Sequence, residues 1–100
     1  MRVLKGVLSE SWEYYRNIRS RIEKKLKQLP MGSIKKRNLG GQVYYYLQFR
    51  KDGKVVHRYL GKSRPEKLEK DIKERRALLL QLREVRKSLK LLSKVHRKNA

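Results

Sequence analysis

Residues 33–62 alternate aromatic or apolar with basic positions, whereas the segments on either side repeat their apolar positions every three or four residues. Alternation is typical of a β-strand with one buried face, and three-and-four spacing is typical of an amphipathic helix. The pattern therefore predicts an α+β protein in the order helix, three-stranded antiparallel meander, long C-terminal helix. We expect the two helices to form an antiparallel hairpin and residues 1–100 to form a single domain.

The first predicted helix covers residues 9–29. Its apolar stripe comprises Trp12, Tyr15, Ile18, Ile22, Leu26 and Leu29. The helix is expected to end before Pro30, because proline disfavours the α conformation of the residue that precedes it. Residues 1–8 form an uncertain N-terminal segment, for which helix, strand and loop all stay open.

Asp52-Gly53 is the strongest local signal in the predicted β-meander of residues 33–62. A two-residue type I′ turn needs positive φ at both central positions, which this dipeptide adopts readily. The turn predicts the pairs Lys51–Lys54, Arg50–Val55, Phe49–Val56, Gln48–His57, Leu47–Arg58, Tyr46–Tyr59 and Tyr45–Leu60.

The predicted pairing gives the sheet two different faces. The expected core face comprises Val43, Tyr45, Leu47, Phe49, Val56 and Leu60, and the opposite face comprises Tyr44, Tyr46, Gln48, Arg50, His57 and Tyr59. If Gly40-Gly41 forms the preceding turn, Ile34 joins the core face, and Lys35 and Arg37 join the other. A slip by one residue would exchange these two cations for Lys36. Arg58 falls on the core side, where we expect it at the rim with its charge in solvent.

The last segment predicts a helix over residues 64–95 and a basic tail at 96–100. Ser63 and Glu66 have the spacing of a capping box, and Pro65 suits a first turn. The expected apolar seam comprises Leu68, Ile72, Leu79, Leu82, Val85, Leu89 and Leu92. Because the first helix is shorter, we expect Leu89, Leu91, Leu92 and Val95 to overhang it. The leucine-rich stretch 77–92 therefore predicts a homodimer or a protein partner.

The charge of the chain indicates the class of its main partner. Lysine and arginine number 29 against 9 acidic residues, a formal net charge of +20 on 100 residues. Such a charge opposes compaction, and a polyanion relieves the repulsion. A generically basic protein, such as one from a thermophile, is the competing explanation. However, surface ion-pair networks would require more glutamate alongside the lysine.

The sequence offers little for catalysis or metal binding. It contains no cysteine and only two histidines, His57 and His96, and Asp52 is accounted for by its turn. It shows no cluster of metal ligands and no glycine-rich phosphate loop before a helix. We therefore expect a protein that is not an enzyme and uses no cofactor or metal. The lack of cysteine and of an apolar run of about 18–20 residues favours the cytoplasm, without a membrane partner.

The tyrosine-rich face suits nucleic acid in two geometries. A ribbon of strands can enter the major groove of DNA, where Lys35, Gln48 and Arg50 would read base edges. Alternatively, Tyr44, Tyr46 and Tyr59 would stack on unpaired bases. A purely structural explanation is that these tyrosines cover the second helix.

We therefore expect a non-enzymatic nucleic-acid-binding protein, with DNA favoured over RNA. The predicted contact set comprises Lys35, Lys36, Arg37, Tyr44, Tyr46, Gln48, Arg50, Lys51, Lys54, His57, Arg58 and Lys62. The alternative is a helical adaptor, for instance antitoxin-like, that binds a protein through its leucine seam. A third possibility joins the two in an accessory subunit of a larger nucleoprotein complex.

The motif order LPMGSI at 29–34, YYYLQFR at 44–50 and RYLGK at 58–62 resembles an uncharacterised family of small prokaryotic proteins. In that family a Leu-Pro-x-Gly-Ser motif precedes a tyrosine-rich hairpin, Tyr-Leu-Gly-Lys and a long charged helix. The resemblance implies the architecture and no activity. The hairpin is also similar to the three-stranded DNA-binding sheets of integrase arm domains and some transposase N-terminal regions, which usually end in a shorter helix.

Overall fold

The computed structural model describes the backbone of residues 2–98 and the side chains of residues 9–95. Helix α1 spans Arg2–Gln28, strands β1, β2 and β3 span Ser33–Leu39, Gln42–Lys51 and Lys54–Gly61, and helix α2 spans Glu66–Lys98. The strands form one antiparallel sheet in the order β1-β2-β3. This arrangement confirms the predicted α+β class and the order of its elements.

Both helices extend past their predicted outer ends. Helix α1 begins at Arg2, so residues 2–8, left open by the sequence, are helical. Helix α2 continues to Lys98, so residues 96–98 are helical and do not form the expected tail. Met1 and residues 99–100 lie outside the described residues.

The start of α2 differs from the predicted capping box. The Glu66 amide donates to the carbonyl of Arg64 at 2.9 Å, and the first helical hydrogen bond runs from the Glu69 amide to the Pro65 carbonyl at 2.9 Å. Ser63 is therefore not the cap, and the helix begins at Glu66. The physical reason is Pro65, because its ring keeps the preceding Arg64 out of the α region.

The contacts within the chain form two compact units. The first unit comprises Met1–Gln28 and Ala77–Ala100, and the second comprises Leu29–Arg76. Helix α2 contributes residues to both units.

In the first unit, α1 and the later turns of α2 pack around a small apolar core. The buried residues are Ile22, Leu82, Val85 and Leu89, and Trp12, Tyr15, Ile18, Leu26 and Leu78 pack against them. The predicted stripe of α1 is thereby confirmed from Trp12 to Leu26.

Two expectations for α2 in this unit are wrong. Leu79 is 44% exposed, and Leu78 takes its place in the core because it lies one full turn before Leu82 on the same side of the helix. Leu89 is buried and does not overhang, since it belongs to the same core cluster as Ile22 and Val85. Leu91 and Val95 are exposed, as expected.

In the second unit, the Asp52-Gly53 turn has the predicted geometry, and Gly40-Gly41 forms the preceding turn with the same sign of φ. Asp52 and Gly53 have φ values of 53° and 77°, and Gly40 and Gly41 have φ values of 58° and 81°. Positive φ at both central positions is what a type I′ turn requires. In the resulting register Lys35 lies opposite Tyr46, which confirms the predicted alignment of β1 rather than its one-residue slip.

One predicted pair is wrong. Tyr46 pairs with Tyr59 as expected, but Tyr45 pairs with Gly61 and not with Leu60, because a β-bulge lies at this point of the β2–β3 ladder. The bulge adds one unpaired residue to β3 and turns the strand locally. Leu60 lines a shallow depression with Pro65 and Leu68 at the start of α2.

The sheet has one covered face, the face of Leu47. Leu47 is 6% exposed, and Ile72 of α2 is buried as well. Ile34 pairs with Leu47, and Ile34 and Ile72 line the same cleft between β1 and α2. The first turns of α2 therefore provide the apolar partner that this face requires.

Gly32 is required for the approach of the chain to this sheet. A Cβ at this position would lie 2.6 Å from the Gln48 carbonyl oxygen and 3.0 Å from Leu47 Cδ1. The residue also has φ of +127°, a conformation that residues with a side chain rarely adopt. The residue that precedes β1 can therefore adopt this conformation without strain only if it is glycine.

Candidate functional site

The second face of the sheet, here called the open face, contains no buried residue. Strict alternation along the strands places twelve residues on it. They are Ser33, Lys35, Arg37, Leu39, Gln42, Tyr44, Tyr46, Gln48, Arg50, Val55, His57 and Tyr59. The open face therefore presents aromatic, amide and cationic side chains to solvent.

Three tyrosines form a cluster near the middle of the open face. The ring centroid of Tyr59 lies 5.4 Å from that of Tyr46 and 6.3 Å from that of Tyr44. The rings are tilted by 54° and 47°, which lies within the range of favourable aromatic contacts. Tyr44 and Tyr46 are half-buried, whereas Tyr59 is 54% exposed. Tyr59 is thus the most accessible ring of the cluster.

Two cations lie over the rings of this cluster. The Cζ atom of Arg37 is 5.0 Å from the centroid of Tyr46, and the Nζ atom of Lys62 is 5.9 Å from the centroid of Tyr44. Both distances suit cation–π interactions. The two contacts hold positive charge over the two rings that neighbour Tyr59.

The structure brings together seven members of the predicted contact set on the open face: Lys35, Arg37, Tyr44, Tyr46, Gln48, Arg50 and His57. Lys62 joins them through its contact with Tyr44. Lys51 and Lys54 form the last pair before the Asp52-Gly53 turn, at the end of the hairpin.

Lys36 and Arg58 lie on the opposite side of the sheet from this group. Lys36 pairs with Tyr45 and Arg58 pairs with Leu47, so alternation directs both toward the covered face. Arg58 is nevertheless exposed, as expected for a rim position.

The predicted contact set leaves out Tyr59, the most exposed ring of the cluster. The sequence contained the information needed to include Tyr59, because the register set by the Asp52-Gly53 turn pairs it with Tyr46. Lys73 and Arg76 of α2 are also absent from that set, and both line the cleft beside β1. No local pattern in the sequence relates them to the sheet.

One ion pair lies at the start of α2. The Arg64 Nε atom donates to both carboxylate oxygens of Glu69 at 3.2 Å, and its Nη2 atom lies 3.1 Å from Oε2. Hydrogen bonding to Arg64 holds the pKa of the Glu69 carboxyl below its ordinary value of 4.5, and nearby Lys36 and Lys73 act in the same direction. Glu69 is therefore a carboxylate in a cationic environment.

Two further kinds of feature are absent from the part of the chain that the structure describes. No group of three or more histidine, aspartate or glutamate side chains there has the arrangement of a metal site. Neither described helix combines the length and apolar character needed to cross a bilayer.

Comparison with known proteins places the chain in a family. No curated protein and no solved structure matches it. The model of a domain of unknown function, DUF6788, matches residues 12–70, which include most of α1, the whole sheet and the start of α2. The protein therefore belongs to the DUF6788 family.

Proposed function

We propose that this protein binds nucleic acid through the open face of its sheet and does not act as an enzyme. The observation that carries the proposal is the tyrosine cluster on an unburied face, with Arg37 and Lys62 over its rings. Aromatic rings stack on bases, and flanking cations contact phosphates. The net charge of +20 supplies long-range attraction to the same partner.

The open face also carries groups that can read base edges. Gln48 and Arg50 follow the tyrosines along β2 on the same face, and Lys35 lies across from Tyr46. In a ribbon inserted into the major groove, these side chains would contact bases while neighbouring cations contact phosphate. DNA remains favoured over RNA in this proposal, and the cytoplasm remains the expected location.

The similarity to integrase arm domains belongs to the proposal as well. It is supported by three consecutive antiparallel strands followed by a helix. Helix α2 has 33 residues, longer than the helix that usually ends those domains. The likeness therefore concerns the sheet, and α2 requires a separate explanation.

A charge-matched pair of variants tests the proposal. Arg37→Gln with Lys62→Gln removes the two cations at the tyrosine cluster. We expect weaker binding to a labelled oligonucleotide. The slope of log affinity against log salt concentration should become less negative by roughly 1.4–1.8, because two phosphate contacts are lost. Fluorescence anisotropy titrations at several salt concentrations measure both quantities.

The control is Arg83→Gln with Lys90→Gln, which removes one arginine and one lysine from exposed positions of α2. It lowers the net charge equally, so it reports the general electrostatic contribution. Identical slopes for the two double variants, or no binding by the unaltered protein, would contradict the proposal.

A protein-interaction role is the second candidate, supported by exposed leucines on α2. Leu80 and Leu91 are each 64% exposed, and Leu79 is 44% exposed. Exposed apolar side chains on one helix suit a homodimer or a helical adaptor, alone or inside a nucleoprotein complex. Light scattering after size exclusion, with and without oligonucleotide, measures whether the chain self-associates.

A further inference from the structure

The edge strand β1 carries cations on both of its sides. Lys35 and Arg37 belong to the open face, whereas Lys36, between them, pairs with Tyr45 on the covered side. All three side chains are exposed. Because β1 is the first strand of the order β1-β2-β3, no further strand separates its two sides. Positive charge therefore continues around this edge of the sheet.

Beyond the edge lies an open cleft of about 350 Å³ between β1 and α2, here called the edge cleft. Its lining includes Lys35, Lys36, Lys73 and Arg76 and a single carboxylate, that of Glu69. All four cations are exposed. The edge cleft is thus a concave surface with an excess of positive charge, directly next to the open face.

Glu69 does not cancel this charge. Its two carboxylate oxygens accept hydrogen bonds from Arg64 at 3.2 Å, so part of its single negative charge is balanced by a cation outside the cleft lining, and at least three of the four positive charges stay unbalanced. An anion that enters the cleft therefore meets four cations with little opposition from the carboxylate.

We propose that the edge cleft holds phosphates of a single-stranded nucleic acid that crosses the open face and turns around β1. This inference rests on the proposed function and specifies its substrate class. Bases would contact the tyrosine cluster, and the sugar-phosphate chain would pass Lys35 and continue to Lys36, Lys73 and Arg76.

The shape of the edge prevents a duplex from contacting the tyrosine cluster and the edge cleft at the same time. Duplex DNA has a persistence length of about 50 nm and does not bend around one strand of a sheet. β1 and α2 cannot both enter one major groove about 12 Å wide, because a helix alone is about 10–12 Å across, so a duplex held in its groove by the open face would not also fill the edge cleft. A single strand is flexible enough to follow a cationic track.

The test uses the full chain and two probes, an oligonucleotide of about 20 nucleotides and the blunt duplex that it forms with its complement. The cleft variant is Lys36→Gln, Lys73→Gln and Arg76→Gln. For the single strand we expect weaker binding and a salt slope shallower by about 2, since each phosphate contact contributes about 0.7. Duplex binding should be weaker than single-strand binding, and the cleft variant should lower it no more than a charge-matched control does.

The matched control is Arg83→Gln, Lys90→Gln and Lys94→Gln, which also replaces one arginine and two lysines on exposed positions. Circular dichroism melting curves verify that both variants fold. Equal single-strand slopes for the cleft variant and the control, or tighter binding of the duplex than of the single strand, would overturn the inference.

The same data separate this inference from the proposed function. If Arg37→Gln with Lys62→Gln weakens binding beyond its own control while the cleft variant matches its control, only the edge cleft is refuted. If the unaltered protein binds neither probe, both ideas are refuted. Selective capture of phosphatidylserine vesicles or of an acidic protein by the edge cleft, with no single strand bound, would also refute them.

Discussion

The two faces of the sheet are built from alternate residues of the same strands, yet they have opposite environments. Leu47 is 6% exposed on the covered face, whereas Tyr59 is 54% exposed on the open face. The covered face has an apolar centre beside the first turns of α2, with the exposed Lys36 and Arg58 at its rim, while the open face combines tyrosines with cations. The difference shows that alternation separates the side chains, and that a packed helix decides which set forms the core.

The contrast also separates stability from binding. Burying a leucine such as Leu47 stabilises the fold by about 1.5–3 kcal/mol. An aromatic pair such as Tyr46–Tyr59 adds about 0.5–1.5 kcal/mol beyond the area it buries. Substitutions on the covered face should therefore mainly lower the free energy of unfolding. Substitutions of the exposed Tyr59 ring should mainly lower the affinity for the ligand.

The largest effect is expected for Gly32→Ala at the covered face. The new Cβ would lie 2.6 Å from the Gln48 carbonyl oxygen, in a backbone with φ of +127°. Conformational strain and overpacking together should lower the free energy of unfolding by about 2–4 kcal/mol. Urea denaturation followed by circular dichroism measures the change.

Gly40→Ala is the control for this prediction, since Gly40 also has positive φ but nothing within 4 Å of the added Cβ. It should cost only the strain of the left-handed conformation, about 1–2 kcal/mol. Equal losses for the two alanine variants would show that the contact with β2 does not determine the requirement for glycine.

An intermediate effect is expected for Tyr59→Ala at the open face. Loss of a base-stacking ring should weaken single-strand binding by about 1–3 kcal/mol, whereas loss of its aromatic contacts should lower the free energy of unfolding by only about 0.5–1.5 kcal/mol. Tyr59→Phe should retain binding. Anisotropy titration and thermal melting of the same samples measure the two quantities.

Tyr14→Ala provides the comparison for Tyr59→Ala, because Tyr14 is 61% exposed on α1 and touches a neighbouring tyrosine. It should leave binding unchanged. A loss of affinity of the same size at both positions would point to a general effect of tyrosine content rather than to the open face.

The smallest effect is expected from the Arg64–Glu69 ion pair beside the covered face. Because the folded pKa of Glu69 lies below its ordinary 4.5, its contribution to stability is present above pH 4.5 and is lost as the pH falls through the lower folded value. Both side chains are accessible to solvent, so the contribution is small. Glu69→Gln should flatten the acid side of a plot of melting temperature against pH, and an unchanged acid side would contradict this assignment.

The sequence predicted those parts of the sheet and of the candidate site that depend on short-range turns. Asp52-Gly53 and Gly40-Gly41 set the register, and the register alone placed Lys35, Arg37, Tyr44 and Tyr46 on one face. The edge cleft was not predictable in this way. Lys73 and Arg76 lie more than thirty residues after β1 in the chain, and on a helix they look like ordinary solvated cations.

Turn chemistry, apolar spacing and charge thus determined, without further information, the α+β order, the stripe of α1 and the composition of each sheet face. Tertiary structure decided the bulge opposite Tyr45, the choice of Leu78 over Leu79 and the shared use of α2 by two compact units. The physical reason is range. Turns and helical periodicity depend on residues a few positions apart, whereas packing depends on surfaces that meet only after the elements have formed.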